Sequence, residues 1–133
     1  MTINRDPKNL TAADVLRRYK DEELPAFVGI PLENVNQVGN FGDRPLHVAS
    51  VRGNMEEIVA LVAAGADVNA PGDLSNTPLH EAVSQEHLHA IKFLLDNGAS
   101  QNIKNEFGQT PLDIARQKGR SDIAELLERG HRI

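Results

Sequence analysis

Cysteine is absent from this chain of 133 residues, so disulfide bonds and thiolate metal sites are excluded. Tryptophan is absent too, and aromatic residues make up only 4% of a chain that is 40% hydrophobic, so alanine and leucine fill the predicted core positions. No apolar run approaches the length of a membrane span, and the first residues lack the hydrophobic stretch of a secretion signal. We therefore expect a soluble protein in the cytoplasm.

Basic residues are also scarce, with 14 lysines and arginines against 19 acidic residues and a net charge of -5. Binding to phosphate groups needs a basic surface, so this balance argues against a general binder of nucleic acid or of anionic membranes.

The usual signatures of catalysis and metal binding are missing. No serine stands in a nucleophile-elbow pattern, and the chain has neither a glycine-rich phosphate loop nor a His-Glu-x-x-His motif. His87 and His89 are two residues apart, so on a helix they would point to different sides and would not share a metal ion. We expect no enzyme activity, no cofactor and no metal site.

One phrase recurs along the chain with a period of about 33 residues, a length at which each repeat is one supersecondary unit stacked on copies of itself. Pro45, Pro78 and Pro111 stand at this spacing, inside the phrases RPLH, TPLH and TPLD. Downstream of the first two, the chain reads GADVN at 65–69 and GASQN at 98–102. Such stacks usually bind other macromolecules along an open surface.

Each unit is predicted to contain two short helices followed by a turn-rich loop. In the middle unit Thr77 is a good N-cap, and Pro78 suits the first helical position. Gly98 ends the second helix, and the polar stretches 66–76 and 99–109 predict extended fingers with tight turns. Both helices carry apolar residues at spacings of three and four, which in this unit are Leu79, Ala82, Val83, Leu88, Ile91, Leu94 and Leu95.

The turn between the two helices predicts one strained residue. Gly53 and Gly119 occupy this turn in the first and last units, which indicates a positive φ, but Glu86 stands there in the second unit. We expect Glu86 to keep the left-handed conformation at a cost of about 1 kcal/mol.

The register also extends upstream. Thr11 lies one period before Arg44, and the phrase TAAD that it opens resembles TPLD. Pro25 lies where a second helix is due and allows a helix to start but not to continue through it. The chain is therefore predicted to form a single domain, 1–133, with a degenerate N-terminal capping unit at 11–38 and three clear units at 39–71, 72–104 and 105–130.

The phrases Thr-Pro-Leu-His-x-Ala and Gly-Ala-Asp-Val-Asn, in register with the turn glycines, resemble the ankyrin repeat, clearly over residues 39–127. The resemblance implies an all-α solenoid of helical pairs with extended finger loops. It also implies that His47 and His80 hydrogen-bond to loop backbone. Arg44 and Asp113 depart from the family pattern, which has threonine and histidine at these places.

Members of this family mostly bind proteins through the finger tips and the exposed side of the first helices. Carried over by position, this finger-and-helix surface consists here of Arg18, Tyr19, Asn40, Phe41, Asp43, Arg52, Asp73, Leu74, Asn76, Gln85, Glu106, Phe107, Gln109 and Lys118. Its basic members stand beside acidic ones, so we expect both signs of charge. Glu57 and Lys92 are predicted to lie outside it, on the side of the second helices.

One position of this surface is unusual. Phe41, Leu74 and Phe107, which we call the finger row, recur once per unit where the family commonly has polar side chains. They could form an apolar stripe for a partner, or each could fold back onto the adjacent finger.

The resemblance favours a non-catalytic module that binds another protein as an adaptor or inhibitor, and that is a monomer when unbound. Stacked units would present their side chains rigidly, so little entropy would be lost on binding. The alternative is a structural subunit of a larger assembly that uses the ends of the stack. Its signature would be exposed apolar surface on the helix of residues 12–19 or at Leu126 and Leu127.

Overall fold

The computed structural model describes residues 9–129, so the predicted end of the last unit at residue 130 lies outside the described part. The described residues form seven α-helices and one 3-10 turn, at Asp73–Ser75, and contain no strand. The predicted all-α solenoid is confirmed.

The helices come in pairs after a single N-terminal one. Their bounds are α1 Ala12–Asp21, α2 Pro45–Arg52, α3 Met55–Ala63, α4 Pro78–Ser84, α5 Leu88–Asp96, α6 Pro111–Gln117 and α7 Ser121–Arg129. The first helices form an inner row, in which α2 packs on α4 and α4 on α6, and α3 packs on α5 behind them. The N-terminal helix α1 packs mainly on α3 rather than on α2.

The predicted helix starts are confirmed by the caps. Thr11, Thr77 and Thr110 each accept a hydrogen bond through the side chain from the backbone N–H three residues on. The Asp113 carboxylate, which replaces the family's histidine, accepts from the backbone N–H of Thr110 at 2.9 Å. That bond lowers the pKa of Asp113 below its ordinary value. Arg44 precedes α2 without a side-chain cap.

The core repeats with the same period as the sequence. Ala49, Ala82 and Ala115 are fully buried, and so are Leu61, Leu94 and Leu127. Small side chains in the first helices allow α2, α4 and α6 to pack closely, and leucine fills the layer behind them. Because neither helix of a pair can bury its apolar face alone, the stack depends on contacts between neighbouring units.

The left-handed turn between paired helices is present in all three full units. The φ angles are 65° at Gly53, 62° at Glu86 and 69° at Gly119, so the left-handed conformation expected at Glu86 is confirmed. The second finger carries further strain, because Leu74 and Ser75 have φ angles of 57° and 60°.

The N-terminal unit lacks its second helix. Residues 24–30 form turns instead, and Phe27, only 4% exposed, stacks on Tyr19 with ring centroids 6.4 Å apart. The side-chain amide of Asn40 donates to the carbonyl oxygens of Pro25 and Val28, at 3.1 and 2.9 Å. The first finger therefore holds this irregular segment in place.

Candidate functional site

Two buried histidines position the second and third fingers. In His47, Nδ1 accepts from the backbone N–H of Arg44 at 2.9 Å, so Nε2 carries the proton and donates to the carbonyl oxygens of Ala70 and Asn76, at 2.9 and 3.0 Å. His80 repeats the arrangement and donates to the carbonyl of Gln109 at 2.9 Å. Burial lowers the pKa of both imidazoles, so they are neutral near pH 7. The structural role implied for these histidines is confirmed.

Asparagine side chains tie each finger base to the next. Asn69 donates to the carbonyl of Gly98 at 3.1 Å and accepts from the backbone N–H of Ser100 at 2.7 Å. Asn36 makes the same pair of bonds one unit upstream. The three fingers are therefore joined through their bases.

The finger tips are joined as well. The Asp43 carboxylate accepts from the backbone N–H of Asp73 at 2.9 Å, and the carbonyl of Leu74 accepts from the N–H of Glu106 at 3.0 Å. Side chains on neighbouring tips consequently keep a fixed relation to one another.

The finger row faces solvent. The exposed fractions are 61% for Phe41, 44% for Leu74 and 67% for Phe107. The side chains are not folded away against the adjacent finger, so three large apolar groups stand open at the same place in successive units.

Part of the predicted surface lines an open groove of about 350 Å³ between the last two fingers and the helices α4 and α6. Four predicted residues meet here, namely Asn76, Phe107, Gln109 and Lys118. The amide of Asn105 donates to the side-chain oxygens of Asn76 and Gln109, at 2.9 and 3.2 Å. Gln85, also predicted, is exposed at the C-cap of α4.

Tyr19 was wrongly placed on this surface. Its side chain is fully buried, with its hydroxyl donating to Glu57 Oε1 at 2.5 Å and the Arg52 guanidinium 4.9 Å from the ring centroid. Burial and the bond to Glu57 raise the pKa of the phenol. Tyr19 cannot touch a partner, because it forms part of the contact between α1 and α3.

Glu57 was wrongly placed on the open side of the second helices. It is fully buried and accepts from Arg18 at 2.8 Å and from Arg52 at 3.4 Å, besides Tyr19. Arg52 also pairs with Glu22 at 2.6 Å. The sequence carries no repeat of this cluster, because it forms where the irregular unit meets the first regular one.

The cations predicted on the surface are therefore already in ion pairs. Arg18 and Arg52 are bound to Glu57, and Lys118 lies 3.9 Å from Glu86. The sequence predicted a surface with both positive and negative charges, but these three cations are paired within the chain.

Sequence reasoning missed Glu81, which stands on α4, four residues before Gln85 and on the same side of the helix. Burial, together with the negative charges of Asp43 and Asp73, raises the pKa of Glu81 to about 7. Because Glu81 is four residues from the predicted surface residue Gln85, the sequence could have placed it on the same helix face. Its proximity to the carboxylates of Asp43 and Asp73 arises only when the fingers fold over α4.

Within residues 9–129, the positions at which the alternative predicts exposed apolar surface do not show it. Leu127 is fully buried and Leu126 is partly buried. On α1, Val15 and Tyr19 are fully buried.

Over residues 9–129, no group of three or more histidine, aspartate or glutamate side chains is arranged to hold a metal ion. None of the helices in the same range combines the length and the hydrophobicity needed to cross a membrane.

A family model described as ankyrin repeats (three copies) matches residues 17–105 and 46–133 of the chain. No curated protein matches the chain.

Proposed function

Because the chain belongs to the ankyrin repeat family, whose repeats are generally protein–protein interaction modules, we propose that it holds another protein against its finger-and-helix surface. This surface consists of the residues predicted from the sequence, except the buried Tyr19. The role is that of a stoichiometric adaptor or inhibitor, in which binding itself is the activity.

The exposed finger row carries this proposal. Phe41, Leu74 and Phe107 present large apolar side chains to water at equivalent places in three successive units. A partner that covers them removes this apolar area from water, and buried apolar anchors at the centre of an interface usually supply most of its affinity.

Rigidity supports the same assignment. The second and third fingers are held by His47 and His80, and neighbouring tips are joined by hydrogen bonds to the Asp43 carboxylate and to the Leu74 carbonyl. Binding therefore requires little ordering of the loops, and the associated entropy cost is small. An unbound monomer and a cytoplasmic location remain expectations that accompany this proposal.

The test compares two double variants. A native partner is first captured from lysate on the immobilised wild-type protein and identified by mass spectrometry, and is then titrated calorimetrically with each variant. Leu74→Ser with Phe107→Ser should weaken binding at least a hundredfold, since two anchors at about 1.4 kcal/mol or more each are removed.

The matched control is Val59→Ser with Lys92→Ser, on α3 and α5. Val59 is 44% exposed, like Leu74, but it lies on the side of the second helices. This control should bind as the wild type does. If the control lost binding while the finger variant kept it, the binding face would be the opposite one.

A further inference from the structure

We propose that the partner contacts this surface through a basic segment, which places apolar side chains on the finger row and lysine or arginine side chains beside the carboxylates of the fingers and α4. This inference rests on the proposed function of the same surface and names the chemistry of its partner.

Each finger offers an acid next to its apolar residue. Asp43 lies two residues after Phe41, while Asp73 and Glu106 immediately precede Leu74 and Phe107. A partner that covers the finger row therefore brings its own side chains close to a carboxylate at every finger.

In the part of the chain that the structure describes, the finger carboxylates and that of Glu81 lack cationic partners. Within residues 9–129, none of Asp43, Asp73, Glu81 and Glu106 lies in an ion pair. Over the same residues, Arg44 at the start of α2 and the exposed Lys104, two residues before Glu106, are in no ion pair either, so the unpaired acids outnumber the unpaired cations here. The free charge beside the finger row is thus negative.

The nearby cations on the rest of the surface do not change that sign. Arg18, Arg52 and Lys118 are each engaged by a glutamate of this chain. The net charge of -5 adds a long-range attraction for a positively charged partner and a penalty for an acidic one.

The clustering of acids around Glu81 gives the proposal a second readout. The groups whose charges act on Glu81 are Asp43 and Asp73, and His47 beside Asp43 is neutral. A lysine or arginine brought to this place favours the ionised form of Glu81 and lowers its pKa from about 7. Binding near pH 7 should therefore release protons.

The probe is a library of random linear peptides displayed on phage and selected on the wild-type protein. The selected peptides should be enriched in lysine and arginine together with aliphatic or aromatic residues. A synthetic peptide of the selected sequence is then titrated by fluorescence anisotropy at low and at physiological ionic strength, and by calorimetry in two buffers of different ionisation enthalpy.

Asp73→Asn with Glu81→Gln should weaken binding of that peptide about tenfold, reduce its dependence on salt and reduce the proton release. The matched control is Glu56→Gln with Asp96→Asn, which replaces one glutamate and one aspartate at exposed positions on α3 and α5. It should change the affinity less than about twofold, because distant exposed charges are largely screened.

The failures of the two proposals are distinguishable. Selected peptides without a basic bias, but released by Leu74→Ser with Phe107→Ser, would overturn the basic segment and leave the surface intact. Peptides that bind the finger variant as well as the wild type would overturn the surface itself. A selection that yields no binder would also overturn the basic segment, since a single segment of this kind is what a displayed peptide reproduces.

Discussion

The N-terminal junction of this molecule is built from charge, whereas the junctions between full units are built from alanine, leucine and imidazole. At the N-terminal junction, where α1 and residues 24–30 meet the first full unit, Glu57 is buried and bound by Tyr19, Arg18 and Arg52. At the internal junctions, α2–α4 and α4–α6, the helices meet through fully buried alanines, and His47 and His80 reach the next finger.

The difference shows how a repeat stack accommodates an irregular unit. An internal junction can recur, because each residue finds the same neighbour one period later. The N-terminal unit has no second helix, so Tyr19, Phe27 and the ion cluster around Glu57 make the contact instead. Burying charge is costly unless every group is paired, so the loss of any one member of this cluster should destabilise the contact.

The largest effect is expected at an internal junction. Leu94 is fully buried, and Leu94→Ala should lower the free energy of unfolding by about 2–4 kcal/mol, because it leaves a cavity between stacked units. Urea denaturation followed by circular dichroism measures this. Val59→Ala, at an exposed valine on α3, should cost less than about 0.5 kcal/mol. If the urea midpoint of Leu94→Ala equalled that of the wild type, Leu94 would not belong to the core.

Glu57→Gln tests the N-terminal junction. It should destabilise the fold by about 2 kcal/mol, because it leaves two arginines and a buried hydroxyl without their carboxylate, although both arginines are partly exposed to water. The adjacent Glu56 is exposed and serves as the matched position. If Glu56→Gln and Glu57→Gln unfolded at the same urea concentration, the buried cluster would not hold this junction.

Acid should weaken the internal junctions through their histidines. Burial lowers the pKa of His47 and His80, so the unfolded chain takes up protons first and stability falls as the pH drops below the ordinary histidine value of about 6.5. Glu81 acts in the opposite direction. Its raised pKa of about 7, against an ordinary 4.5, makes stability fall as the pH rises between these values.

One variant separates the effect of the histidines from that of Glu81. Glu81→Gln should lose more stability than the wild type when the pH is lowered from 8 to 5, since it lacks the compensating protonation. Thermal unfolding at a series of pH values measures the slope. If stability depended on pH in the same way in both proteins, Glu81 would not take up a proton on folding in this pH range.

The smallest effects are expected at the strained turns. Ser75 has a φ of 60°, and Ser75→Gly should stabilise the fold by up to about 1 kcal/mol. Glu86→Gly relieves the same strain but removes the ion pairs with Arg120 and Lys118. Since exposed ion pairs contribute about 0–1 kcal/mol, Glu86→Gly should be close to neutral. Chemical denaturation of both variants tests this, and a clear loss with Ser75→Gly would contradict the strain.

Most of the internal stack could be predicted from the sequence, because the period carries positions from one unit to the next. The helix starts at Thr77 and Thr110 and the left-handed turn at Glu86 follow from register, whereas the histidine bonds were implied by the resemblance to the ankyrin repeat. The burial of Tyr19 could not be predicted in this way. Its environment depends on a segment that has no repeat partner.

The candidate site divides in the same manner. The finger row was identified by its spacing, but its exposure depends on how the tips hydrogen-bond to each other. Likewise, neither the pairing of Arg52 with Glu57 nor the position of Glu81 near Asp43 follows from a sequence distance. Free charge on a surface is known only after the internal ion pairs have been assigned.

Hydrogen exchange of the chain with and without its captured native partner, read by mass spectrometry, tests the proposed binding surface most directly. We expect slower exchange in the finger tips around Asn40, Asp73 and Glu106 and in the first helices α2, α4 and α6. The amides of α3 and α5 should exchange as they do in the free protein. Protection confined to α3, α5 and α7, with unchanged finger tips, would contradict the proposed surface.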